Sequence, residues 1–244
     1  MERADTTRER TLALVGAAAG LFVLAFTVYW TVAPIATATP LEGRYGGNAV
    51  LAMELARTAD ELAAIIGHDP PSASEAAIRA RLDRVSQLDF LYMAAYGALL
   101  VCAFVSLARA RDDRRYLAGA ALVVVAVLSD GVENRALLAL TETGVEPEAH
   151  LGSLRAATYV KWELLAAVTA LLAWTLVRRK GWAWRAAGAI GLTAAPLGVL
   201  LYVDPATFAP LLTLSFAPVW LAVFADFART LVRRDASPTA AARG

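Results

Sequence analysis

Six long apolar stretches constrain the fold of this 244-residue chain more than any other feature of its sequence. A helix needs about 20 apolar residues to cross the hydrocarbon core of a bilayer, and each stretch approaches that length. Hydrophobic residues make up 58% of the chain, which is more than an ordinary soluble domain contains. The sequence therefore predicts a single all-α transmembrane domain over residues 1–244. Its six spans are expected at about 12–33, 88–107, 116–140, 156–177, 183–203 and 209–231.

Basic residues are distributed unevenly between the two sides of the predicted bundle. The N-terminus, the second and fourth connections and the C-terminal tail carry 15 arginines and lysines, whereas the opposite side carries six. The positive-inside rule then predicts that both termini are cytoplasmic, and an even number of spans requires matching ends. Only Lys161 and Lys180 are lysines, a bias typical of GC-rich bacterial genomes. We therefore expect a multi-pass protein of a bacterial cytoplasmic (inner) membrane.

The first span has a second interpretation as a secretory signal, because Ala36-Thr37-Ala38 resembles a cleavage site. Its apolar core exceeds the usual 7–15 residues, and Glu2, Asp5 and Glu9 dilute the positive charge in front of it. We therefore expect a retained membrane anchor. A mature protein that begins near Thr39 would contradict this expectation.

Tryptophans, small residues and prolines indicate where the spans end, touch and bend. The pattern Gly16-Ala17-Ala18-Ala19-Gly20 is typical of close helix contact. Pro196 and Pro218 are predicted to kink the fifth and sixth spans. Interfacial tryptophans are expected at Trp30 and Trp162 on the outer side, and at Trp174, Trp182 and Trp184 on the inner side.

Composition and motifs exclude several classes of function. The net charge is +1, so no overall field attracts nucleic acid, and no nucleic-acid partner is expected. Cys102 is the only cysteine, which excludes an intrachain disulfide and a Cys-x-x-Cys zinc site. The two histidines, His68 and His150, lie in different polar loops, so no metal site is predicted. The chain contains no nucleotide-binding, zinc-protease or hydrolase motif, and it predicts no cofactor.

The long connection between the first two spans is predicted to form an outer lid at about 46–87. Leucine and isoleucine recur at helical spacing between Asn48 and Ile66, which predicts an amphipathic helix. Ser72 and Glu75 predict a capping box for a second helix, which continues into the second span. Two amphipathic helices outside the membrane must bury their apolar faces. They either seal the top of the bundle, lie on the lipid interface, or form a lid over a site.

Polar residues interrupt the third and fourth spans close to their outer ends. Asp130, Glu133 and Asn134 share one face of the third span, because they are three and four residues apart. At about 1.5 Å per residue, Asp130 and Lys161 of the fourth span reach the same depth from opposite directions. Ionisable groups inside a bilayer are costly unless they are paired or wetted. We therefore predict that Lys161 pairs with Asp130 or Glu133 and that these residues belong to a functional site.

Acidic residues in this region outnumber the single lysine that could neutralise them. At least one carboxyl is then left without a strong partner and becomes a candidate proton donor or acceptor. The predicted site is a polar pocket beneath the lid, with Asp130 and Glu133 as candidate acid and base. The candidate binding residues are Asp89, Tyr92, Tyr96, Asn134, Lys161 and Glu163.

Three hypotheses on function stay open at the level of sequence. The first is binding or acid-base processing of a lipid-like or isoprenoid molecule from the outer leaflet, which makes a membrane lipid the expected partner. The second is a non-catalytic scaffold or partner protein, in which the polar cluster only orients the spans. The third is a proton-coupled carrier, but the inner half of the bundle is Leu, Val and Ala apart from Asp226, which has Arg229 one turn away. The sequence does not decide whether the protein is an enzyme, and it indicates no protein partner.

Three segments between about residues 88 and 170 resemble a known class of proteins. They are LDFLYMAAY in the second span, SDGVEN in the third and YVKWELL in the fourth. Together they resemble uncharacterised bacterial polytopic membrane proteins, a resemblance that implies no activity. A looser analogy is to integral-membrane terpene cyclases, small helical bundles that protonate isoprenoids with acidic residues, although no motif of theirs aligns with these positions.

Overall fold

A computed structural model describes residues 2–32 and 35–235, and the side chains of 7–29 and 35–233. The predicted end of the first span at residue 33 and the side chain of Trp30 lie outside the described residues. Within these ranges the chain is helical and contains no strand. The helices are α1 Glu2–Val32, α2 Ala49–Glu54, α3 Ala59–Ile66, α4 Ala73–Ala110, α5 Tyr116–Thr141, α6 Pro147–Val177, α7 Trp182–Leu192, α8 Ala194–Leu200 and α9 Pro205–Asp235.

Six helical segments are long and apolar enough to cross a membrane. They are Thr7–Tyr29, Ala73–Ala110, Tyr116–Thr141, Pro147–Val177, Trp182–Leu200 and Pro205–Arg233. This confirms the predicted six-span all-α bundle. An α-helix pairs its backbone donors and acceptors within the segment, which is the condition for lying in lipid.

The fifth span is divided into α7 and α8 at Thr193, where the sequence predicts a kink. Pro196 lacks a backbone N–H and its ring clashes with the carbonyl four residues earlier, which belongs to Leu192. Leu192 is the last residue of α7. In the sixth span, by contrast, α9 continues through Pro210 and Pro218 without ending.

The bundle closes on itself through contact between its first and last helices. α1 packs against α4 and α9, α5 lies between α4 and α6, and α6 also packs against α7 and α8. Gly16 and Gly20 of α1 lie against the rings of Phe227 and Phe224, so the predicted close helix contact is present. Because the two helices run antiparallel, the first turns of α1 and the last turns of α9 lie at one end of the bundle. We call this the inner end, and the opposite end the outer end.

Residues 35–72, which we call the outer segment, fold over the outer end of the bundle. The single helix predicted from Asn48 to Ile66 is two helices, because Thr58 starts a new one. The Thr58 hydroxyl accepts a hydrogen bond from the Glu61 amide, and the Glu61 carboxylate accepts one from the Arg57 amide. Such reciprocal capping satisfies backbone donors that a helix start leaves without partners.

The second predicted outer helix agrees with the structure. Ser72 and Glu75 form the expected capping box, and α4 continues from Ala73 into the second span without a break. The apolar side chains of the outer segment face the bundle, with Met53, Leu62 and Ile65 each at most 3% exposed. Their burial seals the outer end of the bundle and fixes the position of α2 above α5 and α6.

Candidate functional site

Four charged side chains meet below the outer segment around a single ammonium group. Lys161 Nζ lies 3.2 Å from Glu54 Oε2 and 3.4 Å from Asp130 Oδ1, and it also contacts Glu133 Oε1. We call these four residues the Lys161 cluster. Its members are between 0% and 9% exposed. The sequence predicts that Lys161 pairs with Asp130 or Glu133, and in the structure it contacts both, which brings α5 and α6 together.

Glu54 is the member of the cluster that the sequence interpretation missed. It ends α2, and its carboxylate also accepts a hydrogen bond from Trp162 Nε1 at 3.3 Å. Its backbone carbonyl accepts a second from Thr158 Oγ1 at 3.2 Å. Burial raises the pKa of Glu54, against the opposing charge of Lys161. A sequence signal for this residue exists, because Glu54 lies three residues after Leu51 and so shares its apolar face.

Trp162 differs from its predicted position at the outer membrane interface. It is 7% exposed, and the Lys161 ammonium lies 5.1 Å from the centre of its ring. The indole therefore serves as one wall of the cluster rather than as an interfacial anchor. Its N–H donor is used by Glu54.

A second set of polar contacts surrounds the cluster on the side of α4. The Tyr96 hydroxyl donates a hydrogen bond to Asp130 Oδ2 at 2.6 Å. Asn134 Nδ2 donates to Asp89 Oδ2 at 2.7 Å, so these two predicted binding residues bind each other. The Tyr92 hydroxyl lies 3.5 Å from the Thr27 hydroxyl of α1. Together with Glu133 and Lys161 of the cluster, these contacts bring seven of the eight predicted site residues into one region.

Glu163 is the predicted site residue that does not join this region. It follows Lys161 by two residues, which places it about 200° round the same helix. Among the residues described by the structure, no ion pair links Glu163 to Lys161, and its side chain is half-buried. Its charge acts instead on Tyr202, whose pKa is raised by burial and then by Glu163. The Tyr202 ring stacks on Tyr159 with the ring centres 4.5 Å apart.

Two carboxylate oxygens in the cluster make no hydrogen bond within the part of the chain that the structure describes. They are Asp130 Oδ1 and Glu133 Oε2, both of which are buried. Three buried carboxyls share one ammonium, and Asp89 adds a fourth close by. Burying uncompensated negative charge costs several kcal/mol per ion, by an order-of-magnitude argument. The single ammonium of Lys161 therefore does not balance the charge of these carboxyls if all of them are ionised.

A row of aromatic rings leads from α1 to the cluster and along its inner side. Successive ring centres are between 5.3 and 6.0 Å apart. The first ring, Phe22 of α1, is 39% exposed, and the last, Trp162, is the indole that contacts Lys161. This aromatic row consists of Phe22, Phe26, Tyr92, Tyr96, Trp220, Phe216 and Trp162. It offers ring faces that attract positive charge next to carboxyls that can hold a proton.

Neither a metal-binding group nor a similar known protein helps to assign a role to the site. In residues 2–32 and 35–235, no group of three or more His, Cys, Asp or Glu side chains is arranged to hold a metal ion. No family model, no curated protein and no solved structure matches this chain.

Proposed function

We propose that this chain is a multi-pass protein of a bacterial cytoplasmic membrane, with both termini in the cytoplasm, that binds a lipid-like or isoprenoid molecule at the Lys161 cluster. A carboxyl of the cluster acts on that molecule as a general acid or base. The observation that carries the proposal is the excess of buried carboxyls over ammonium groups, with two oxygens that make no hydrogen bond within the described residues. A network that served only to hold helices together would satisfy those oxygens.

Asp130 is the best candidate for the acid. Its Oδ2 is held by the Tyr96 hydroxyl, whereas its Oδ1 lies 3.4 Å from Lys161 Nζ without a hydrogen bond. The first contact orients the carboxyl, and Oδ1 receives no hydrogen bond within the described residues. Glu133 is the second candidate, because its Oε2 makes no hydrogen bond within the part of the chain that the structure describes. A positioned acid of this kind contributes about 100-fold to 10,000-fold to proton transfer.

The aromatic row supports an apolar ligand from the outer leaflet. An isoprenoid would contact ring faces along the row and reach the carboxyl of Asp130 where Tyr96 binds it. Protonation of a carbon–carbon double bond places positive charge on the ligand, and aromatic faces stabilise such charge. The ligand class therefore follows from apolar walls combined with an acid, as the sequence predicts.

Access to the cluster requires movement of the outer segment, which is why we propose that it acts as a lid. Glu54 is the only cluster member that belongs to it, and α2 is six residues long. Displacement of α2 would withdraw one carboxylate from Lys161 and expose the remaining three members. Lids that exclude water during a reaction are common in enzymes.

A structural role is the second candidate, and the closed packing of the cluster favours it. Lys161 links α6 to α5 through Asp130 and Glu133, and to the outer segment through Glu54. These contacts fix three elements relative to one another. In that case the protein would be a scaffold whose cluster has no ligand.

Native mass spectrometry of the purified protein distinguishes the two candidates. The variants are Asp130→Asn and Glu133→Gln, and Glu163→Gln is the matched control because it removes an acid from α6 that lies outside the cluster. We expect wild type and the control to carry the same co-purifying lipid-like molecule. Folded cluster variants should carry it in an unconverted form or lose it.

Two outcomes contradict the proposal. One is a pair of folded cluster variants whose bound molecules match those of wild type. The other is failure to fold in both single variants and in Glu133→Gln with Lys161→Gln, because that pattern would make the cluster necessary for folding and give it a structural role.

A further inference from the structure

A cationic cavity lies at the inner end of the bundle, far from the Lys161 cluster. It has a volume of about 330 Å³, which falls in the range of ligand sites in proteins. The turn between α6 and α7 forms one side, and the last turns of α9 form the other. Its charged and aromatic lining consists of Arg179, Lys180, Trp184, Asp226, Arg229 and Arg233.

Positive charge in this cavity exceeds negative charge. Besides Arg233, three cationic side chains line the cavity, Arg179, Lys180 and Arg229, and the carboxylate in its lining, Asp226, pairs with Arg179 at 3.0 Å. Arg229, which follows Asp226 by three residues, lies over the indole ring of Trp184 instead. Within the described residues, neither Lys180 nor Arg229 has an ion pair. The cavity is thus complementary to an anion.

Trp184 positions two of these cations. The guanidinium of Arg179 lies 5.1 Å from the centre of the Trp184 ring, and that of Arg229 lies 4.9 Å from it. The two arginines come from different elements, so one indole ring contacts both guanidinium groups beside the same cavity. Paired guanidinium groups match the oxygens of a phosphate, which they bind in a bidentate manner.

The position of the cavity points to a lipid as the source of that phosphate. Trp182 is 82% exposed and Trp174 is 50% exposed at the same end of the bundle, as expected for side chains at a membrane interface. The Arg178 guanidinium lies 4.2 Å from the Trp174 ring centre. Cationic pockets between spans at this depth face the headgroups of the adjacent leaflet.

We propose that this cavity binds the phosphate of an anionic phospholipid, such as phosphatidylglycerol, from the leaflet at the inner end. Arg179 and Arg229 bind the phosphate oxygens, and Lys180 adds charge without a fixed geometry. The site does not depend on the Lys161 cluster or on its proposed chemistry.

Titration of short-chain phosphatidylglycerol, phosphatidylcholine and inorganic phosphate into the protein in neutral detergent tests the proposal. The test variant is Lys180→Gln with Arg229→Gln, and the matched control is Arg109→Gln with Arg114→Gln. The control removes the same charge from exposed positions at the same end, outside the cavity. Each cation near a membrane surface contributes about fivefold to anionic lipid affinity, so the test variant should bind phosphatidylglycerol about 30-fold more weakly. The control should keep wild-type affinity.

Trp184→Leu provides a second test that leaves every charge in place. If the indole positions both guanidinium groups, this variant should lose about fivefold in affinity for phosphatidylglycerol. Should the double variant fail to fold, Lys180→Gln alone decides, with an expected loss of about fivefold.

Three results would overturn the proposal. Equal losses in test and control variants would show unspecific attraction to the charged end. Equal affinity for phosphatidylglycerol and phosphatidylcholine would exclude an anionic headgroup. Competition by inorganic phosphate at the same concentration as the short-chain lipid would make a free anion the ligand.

Discussion

Replacement of Lys161 by glutamine is expected to have a larger effect on stability than any other single change in the cluster. The ammonium contacts Glu54, Asp130 and Glu133, whose side chains are between 1% and 11% exposed. Removal of one partner from a buried ion pair costs about 3–5 kcal/mol, and this residue serves three carboxylates. We therefore expect a loss of about 5 kcal/mol, at the upper end of that range.

The assay is reversible unfolding in mixed detergent micelles, which gives the free energy of unfolding for each variant. The matched control is Lys180→Gln, an exposed lysine for which a change within about 0.5 kcal/mol is expected. Combination of Lys161→Gln with Glu133→Gln should recover part of the loss, because one uncompensated carboxylate is then removed. Contacting residues show interaction free energies of about 0.5–3 kcal/mol in such cycles.

A loss below about 1 kcal/mol for Lys161→Gln would refute this reasoning, because it would match an exposed ion pair rather than a buried one. Strict additivity of the two substitutions would also contradict it. Either result would mean that the carboxyls are already neutral, so that the lysine compensates no charge.

Three further predictions concern pH, a hydrogen bond and helix packing. Because burial raises the pKa of Glu54 above 4.5, the folded chain binds more protons than the unfolded one above that pH. The free energy of unfolding should therefore fall as pH rises from about 4.5, by at most about 1.4 kcal/mol per pH unit. In thermal melts, the melting temperature of Glu54→Gln should depend less steeply on pH than that of wild type. Tyr96→Phe removes the donor to Asp130 and should cost about 1.5–3 kcal/mol in the unfolding assay; an unchanged free energy would contradict that bond. Gly20→Ala should lower the free energy of unfolding by about 1–3 kcal/mol, since the added carbon would lie 2.6 Å from a phenylalanine ring of α9. Gly152→Ala is the control: nothing lies within 4 Å of the added carbon there, so this change should be neutral or stabilising.

Sequence periodicity predicts the spans and the depth of the polar groups because the bilayer restricts both. Apolar length determines where a helix crosses, and a fixed rise per residue then places Asp130 and Lys161 at one level. The face that each residue occupies on its own helix also follows, which is why Asp130, Glu133 and Asn134 lie together. What periodicity does not give is the rotation of one helix relative to another. Glu163 was therefore grouped with Lys161, although the packed bundle turns it toward Tyr202.

The outer segment was less predictable because no membrane restricts its path. A capping pattern at Thr58 competes with continuous helical spacing, and the cap divides the predicted helix into α2 and α3. Glu54 can form its ion pair with Lys161 because α2 ends at this residue and its last turn points into the bundle. A carboxylate on an otherwise apolar helix face is the signal that would have identified it.

The balance of charge in the cluster connects its stability to its function. Buried ion pairs can often be replaced by apolar residues of similar volume without loss of stability, so a network with surplus carboxyls is a poor way to hold helices together. Glu133 illustrates this, because one of its oxygens contacts Lys161 while the other has no hydrogen bond in the described structure. If Glu133→Gln with Lys161→Gln folds as stably as wild type, the cluster is dispensable for folding. The surplus carboxyls then have to be explained by what they bind or protonate, and loss of the co-purifying molecule from that stable double variant is the expected result.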